Sequence, residues 1–203
     1  MSPTQRILQC RFEERAFDNY LHLIQRLEPI IKRLTERHSY HLTCFPGCSY
    51  CCHNVIGVWP VEAFFLQHHI RQATEDHLSL IKKNLRTSTY CPLLIDDKCS
   101  LYAYRPVICR THGLPLLHEF EEDDPAIDYC EFNFVEVTPG FIFRRNESIN
   151  LNNLNTALAS VNMVFIRDHA QINSDDNPEW KIPPEIRLTI AEICQSVLDA
   201  IRE

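Results

Sequence analysis

The segment Cys44-Phe45-Pro46-Gly47-Cys48-Ser49-Tyr50-Cys51-Cys52 decides how the chain is read, and Cys91, Cys99, Cys109 and Cys130 follow it. Soft thiolates separated by two or three residues converge on one centre when a turn carries each sulfur inward, and Pro46-Gly47 supplies such a turn. The stretch is therefore expected to bind metal, with Cys44, Cys48, Cys51, Cys52, Cys91, Cys99, Cys109 and Cys130 as candidate ligands. The chain has ten cysteines in all. The other two, Cys10 and Cys194, fall on apolar helical stripes and read as small buried hydrophobes.

Residues 1–9 are polar and already charged at Arg6, without the apolar run of a secretory signal. A cytoplasmic location is expected. Thiols stay reduced there, so the cysteines read as metal-binding or redox groups rather than as a disulfide framework. The most apolar stretch, residues 55–66, is broken by Pro60 and Glu62 and is too short to span a bilayer. A formal charge of -7, with no basic stripe interleaved with aromatics, argues against a nucleic-acid partner. Thiolate ligands would add negative charge, so a bound cation should stabilise the folded chain.

With 203 residues and 45% hydrophobic content, the chain can bury a core of ordinary size, expected as a single domain over residues 1–203. The expected class is mainly α: packing helices within 1–40 and 150–203 around a cysteine-rich metal-binding loop core at 44–130 that includes a short β-hairpin. Helical spacing runs through residues 4–38, with Ile7, Cys10, Phe17, Leu21, Ile24, Ile31 and Leu34 on one stripe. A second helix should start at Pro60, where proline suits the first helical position. A third is expected over residues 74–85, with Thr74 as N-cap and His77 three residues on. Residues 90–102 become strand-like, and a hairpin turn at Asp96-Asp97 would bring Cys91 and Cys99 together. The acidic run at 119–124 reads as a solvated loop. Helical spacing returns at Leu154, Leu158, Val161 and Phe165, and again after Pro183-Pro184 from Ile186 to Ile201. No repeat and no strand–helix alternation suggests a doubly wound sheet.

The ordered set Cys44-x3-Cys48-x2-Cys51-Cys52, Cys91-Pro-Leu-Leu, Cys99-Ser-Leu-Tyr and Arg105-Pro-Val-Ile-Cys109-Arg110 resembles the CxxCxxCC zinc- or iron-chelating family, also called the YkgJ family. The likeness covers roughly residues 44–130, with a first gap of three residues where the family name has two. It implies a bound metal. Distant similarity to flagellin lysine-N-methylases implies in addition an iron-sulfur cluster and S-adenosylmethionine chemistry. Cys44-x3-Cys48-x-Tyr50-Cys51 also has the spacing of the radical S-adenosylmethionine motif. The repeated strand–helix units and glycine-rich loops of those barrels are absent from the sequence, so this is local mimicry.

Four thiolates around a tetrahedral ion are the usual structural mode of zinc, and eight cysteines suffice for two such sites. Three closely spaced thiolates with a fourth available favour one four-iron (4Fe-4S) cluster, alone or with a smaller site. The expected function is a cysteine-rich metal-binding protein holding an iron-sulfur cluster or zinc, working with a redox partner. One alternative is an S-adenosylmethionine-dependent protein lysine N-methylase-like enzyme acting on a protein substrate, and another is a structural-zinc interaction module. No nucleophile–base pair or phosphate loop marks a catalytic residue. His53 and His112 read as hydrogen-bonding neighbours of the ligands, and Arg105 and Arg110 as compensation for cluster charge. Glu62, in the first turn of its helix, reads as dipole compensation or a cation anchor.

Overall fold

The computed structural model describes residues 7–8, 14–45, 47–119, 125–137, 143–173, 182–183 and 185–201. Its helices are α1 (Asp18–Arg37), α2 (Pro60–Ile70), α3 (Glu75–Thr87), α4 (Val107–Thr111), α5 (Leu151–Asn173) and α6 (Ile190–Ala200). Short strands lie between them: β1 (Gly57–Val58), β2 (Leu94–Ile95), β3 (Lys98–Cys99), β4 (Leu116–His118), β5 (Ala126–Asp128), β6 (Ile149–Asn150) and β7 (Leu188–Thr189). The fold is mainly α, as the helical spacings imply. Among the described residues no helix is long and apolar enough to cross a membrane.

Helix α2 is the centre of the core. Pro60 opens it without wasting a backbone N–H, and Val61, Ala63, Phe64, Phe65, Leu66 and Ile70 are all buried. A helix apolar on every side must be covered on every side. Helices α5 and α6 pack directly on α2, α1 packs on α5, and α3 packs on α6. Where α1, α2 and α5 meet, Phe17 stacks on Phe165 with ring centroids 6.0 Å apart and meets Phe65 edge-on at 5.4 Å. Burying each such side chain contributes roughly 1.5–3 kcal/mol.

Polar groups buried with α2 form hydrogen bonds across the core, although the Gln67 side-chain oxygen has no partner among the described residues. Gln67 donates to the Leu8 carbonyl at 2.6 Å and to the Ser196 hydroxyl at 3.2 Å. Asn162 on α5 accepts from the Val61 N–H at 3.1 Å. Glu62 has the widest reach. One carboxylate oxygen accepts from the Trp59 N–H at 3.1 Å, and the other accepts from the Val107 N–H at 2.8 Å and from the Tyr20 hydroxyl at 3.4 Å. Glu62 thus caps α2 and α4 together and reaches α1, so its lone pairs are used by the fold rather than left for a cation. Burial raises its pKa, opposed by those same hydrogen bonds.

Several expected elements form where the sequence places them. Thr74 caps α3, its hydroxyl accepting from the His77 N–H at 3.3 Å. Strands β2 and β3 pair antiparallel, Leu94 opposite Cys99, through a turn at Asp96 (φ 49°) and Asp97 (φ 58°). Two consecutive positive φ values are the type I′ geometry that matches strand twist.

Others differ. Ile7 and Leu8 are helical and buried, but Cys10 lies outside the described residues and the long helix begins at Asp18 after a 3-10 turn at Glu14–Phe17. Leu21 is 38% exposed, and Tyr20 takes the buried position instead, where its hydroxyl reaches Glu62. The last helix starts at Ile190, not Ile186, because Leu188 and Thr189 pair with Val58 and Gly57 as β7 on β1. Thr189 and Glu192 then form a capping box, the Thr189 hydroxyl accepting from the Glu192 N–H at 3.2 Å and Glu192 accepting from the Thr189 N–H at 2.8 Å. The hairpin is not the only sheet. Strand β4 pairs antiparallel with β5 and parallel with β6, a sheet too short to leave an alternating pattern in the sequence. Of the acidic run only Glu119 is described, accepting from the Asn150 side chain at 2.6 Å.

Replacing Glu62 by Ala should lower unfolding free energy by about 3 kcal/mol, because the buried Val107 N–H and the partly buried Trp59 N–H lose their acceptor. Urea denaturation would measure this, and a loss near zero would show that Glu62 does not join the helices. Asp97→Gly should raise stability by about 0.5 kcal/mol and Asp97→Val should lower it, since only the first relieves a positive φ. Thermal melts of the two variants with equal midpoints would contradict the turn assignment.

Candidate metal centre

The cysteine loop is built from two successive tight turns. The Cys48 N–H donates to the Phe45 carbonyl at 2.9 Å, with Gly47 at φ +111°, a turn position that demands glycine; Pro46 itself lies outside the described residues. The Cys52 N–H then donates to the Ser49 carbonyl at 2.9 Å as a 3-10 turn forms over Tyr50–His53. Three residues per turn separates neighbouring side chains by a third of a revolution. Cys51 and Cys52 can therefore share one wall, whereas in an extended chain they would point to opposite faces.

The hairpin docks on this loop through the Cys91 N–H, which donates to the Cys52 carbonyl at 2.7 Å. Cys109 arrives on α4, whose first turn Glu62 caps. The result is a cavity of about 490 Å³ lined by Cys48, Cys51, Cys52, Cys91, Cys99 and Cys109. Aliphatic side chains, among them Leu66, Leu93, Leu101 and Ile190, make much of the remaining wall, with Asn54, Lys98, Tyr102, Arg105 and His112 as polar members. Arg105 stacks on Tyr102 at 3.5 Å and donates to the Cys109 carbonyl at 3.1 Å. Arg110 is absorbed by the fold, pairing with Glu28 of α1 and donating to the Arg105 carbonyl at 2.6 Å. His53 is exposed and stands beside Tyr90, with ring centroids 5.5 Å apart.

Cys44 and Cys130 do not line this cavity. They meet around Gly113: a Cβ placed there would stand 2.7 Å from the Cys44 sulfur and 3.6 Å from the Cys130 Cβ. Asn133, which carried no signal in the sequence, hydrogen-bonds the same group, its amide 2.7 Å from the Gly113 carbonyl and 3.3 Å from the Cys44 sulfur. Gly113 had one available cue, being one of only four glycines in the chain. Cys194 is fully buried on α6 within the hydrophobic core, close enough to Cys91 and Cys99 to feel their charge.

Cys51 is the electrostatic hub. A hydrogen bond from Cys52 lowers its pKa to about 6 against the cost of burial, helped by His112 and Arg105. The same hydrogen bond, then burial, pushes Cys52 well up. Burial raises Cys91 to about 11 and Cys44 to about 11, and it also raises Cys99 and Cys109. In each of these the charge of Cys51 contributes to the rise, which places it within electrostatic reach of both thiol groups. Neutral thiols have no cause to converge. Among the described residues no three His, Cys, Asp or Glu side chains are gathered into a group that could hold a metal ion. A cysteine has one side-chain torsion with three staggered wells, so its sulfur can turn inward without moving the backbone. A cation that displaces the thiol protons supplies the reason to do so, and this donor set of soft thiols around a recess fits iron or zinc.

Residues 43–131 match the family model CxxCxxCC, described as "Putative zinc- or iron-chelating domain". Chelation of zinc or iron is the function which that description carries for the cysteine-rich region. No curated protein and no solved structure matches the chain.

Gly113→Ala should destabilise the fold by about 2 kcal/mol or more, since φ is +91° and the new methyl meets the Cys44 sulfur. A thermal melt within error of wild type would show that Cys44 is free to move away.

Proposed function

We propose that the protein holds an iron-sulfur cluster, of the four-iron type, through thiols drawn from Cys48, Cys51, Cys52, Cys91, Cys99 and Cys109, with Cys44 and Cys130 at the edge of the site, and that it acts as an electron-transfer module. One observation carries this reading: six cysteines open on a single, largely aliphatic recess of about 490 Å³. A tetrahedral zinc ion needs four sulfurs and no space beyond them, whereas a polynuclear cluster needs room and a wall that excludes water. Bound there, the cluster would supply one-electron transfer. The chain's own part is to offer thiolates, to keep water away with Leu66, Leu93 and Leu101, and to offset negative charge with Arg105. A reducing, cytoplasmic compartment goes with this reading, because the ligands must be free thiols before they bind.

Space supports a second reading. The aliphatic volume beside Arg105 is of a size that takes a small organic cofactor, and a guanidinium suits the carboxylate of S-adenosylmethionine. Saturable binding of S-adenosylmethionine by the loaded protein, measured by calorimetry and lost in Arg105→Ala, would favour a methylase-like enzyme over a simple carrier.

Protein purified without oxygen should be brown, contain iron and acid-labile sulfide, and bleach with dithionite. Cys48→Ser and Cys99→Ser should lose most of the metal, while Cys194→Ala should keep it. Colourless protein from an iron-replete, anaerobic preparation, carrying stoichiometric zinc and no sulfide, would overturn the cluster and leave a structural-zinc module.

A further inference from the structure

Asn133 lies just beyond the stretch that the family model matches, and it is only 1% exposed. Its carbonyl oxygen accepts from the Thr43 N–H at 2.8 Å and from the Thr43 hydroxyl at 3.0 Å. Its amide nitrogen donates to the Gly113 carbonyl at 2.7 Å and to the Cys44 sulfur at 3.3 Å. These partners fix which way the carboxamide points. A flipped amide would set its oxygen against the Gly113 carbonyl and its N–H groups against the Thr43 N–H. Three segments are joined by this one side chain: the entry to the cysteine loop at Thr43-Cys44, the exit from α4 at Gly113, and the turn after Cys130. The Phe132 carbonyl also stands 3.0 Å from the Thr43 hydroxyl, so the single hydroxyl proton is shared between it and the Asn133 oxygen.

Cys44 needs such a partner more than the other thiols do. Its residue as a whole is exposed while its sulfur is tucked against Gly113 and Asn133, whereas the six cysteines of the cavity are half-buried. Its thiol also stands 3.6 Å from the Asn133 carbonyl oxygen, a direction in which only a protonated sulfur can donate. Once deprotonated, the sulfur can only accept, and the Asn133 N–H is the donor already aimed at it.

We propose that Asn133 is a positioning residue of the metal centre, holding the Cys44 sulfur by an N–H···S hydrogen bond so that Cys44 enters the ligand set in one fixed rotamer. The inference rests on the metal-binding reading above. Hydrogen bonds to ligand sulfurs tune both metal affinity and reduction potential, so Asn133 acts on the metal through Cys44 without touching it.

The test uses the full chain loaded anaerobically with iron and sulfide, or with zinc. Asn133→Asp keeps the size and the acceptor for Thr43 but removes the donors to both the Cys44 sulfur and the Gly113 carbonyl, so its effect is read on the spectrum and on Cys44 protection rather than on stability. It should lower metal affinity about tenfold in a chelator competition. It should also shift the visible charge-transfer spectrum of the cluster and make Cys44 in loaded protein react with iodoacetamide while Cys51 stays protected. Thr43→Val loosens the same join but leaves the N–H···S bond, so it should change stability without changing the spectrum. Equal spectra and equal Cys44 protection in wild type and Asn133→Asp would overturn the proposal. If Asn133→Asp fails to fold, nuclear magnetic resonance of wild type decides: metal loading must shift the Asn133 side-chain amide signals, and unshifted signals overturn it. Wild type that binds neither metal would sink the underlying reading itself, recognisable because Cys48 and Cys51 would then be alkylated as readily as Cys44.

Discussion

One buried carboxylate ties the helical core to the cysteine-bearing segments. Glu62 is 2% exposed, and its oxygens accept from Trp59 at the start of α2, from Val107 at the start of α4 and from the Tyr20 hydroxyl on α1. Placing an acid there is costly unless hydrogen bonds repay the lost hydration, and the two helix starts provide backbone donors that would otherwise be orphaned. Because α4 carries Cys109, the position of that thiol is inherited from the core. Helix α4 has only five residues and would not stand alone.

The site inherits its other walls in the same way. The cysteine loop is made of turns, the hairpin is two residues on each side, and neither could hold a fixed shape by itself. They are held because the Cys52 carbonyl accepts from the Cys91 N–H and because Leu93 and Leu101 of the hairpin region join the core cluster. The consequence is a recess in which soft donors face aliphatic carbon. Low polarity keeps uncompensated thiolates unfavourable and makes a bound cation more valuable than it would be in water. A cation bound in this region would therefore add to the stability of the fold.

Much of the architecture was legible from residue type alone. Pro60 announces a helix start, Thr74 caps the next helix, and Asp96-Asp97 tolerates the left-handed turn between β2 and β3. Burial of Cys194 was legible too, from its place on an apolar stripe. The strands β1, β4, β5, β6 and β7 were not, because pieces of two or three residues show no period and exist only through their partners. The Thr189-x-x-Glu192 capping box was present in the sequence, but apolar spacing from Ile186 onward masked it. Glu62 was visible as a helix N-terminal acid; its second task, capping α4 from 45 residues away, was not.

The sequence by itself determined the side-chain chemistry: eight clustered cysteines in a chain with few glycines and several amphipathic stripes set soft thiol donors on a helical frame, since both follow from side-chain type and spacing. Only the tertiary structure decided how those cysteines divide. Six share one cavity, while Cys44 and Cys130 meet across Gly113 under the hydrogen bonds of Asn133. That division depends on contacts between residues dozens of positions apart, and on a 3-10 turn that lets Cys51 and Cys52 face the same way. Spacing along the chain encodes neither.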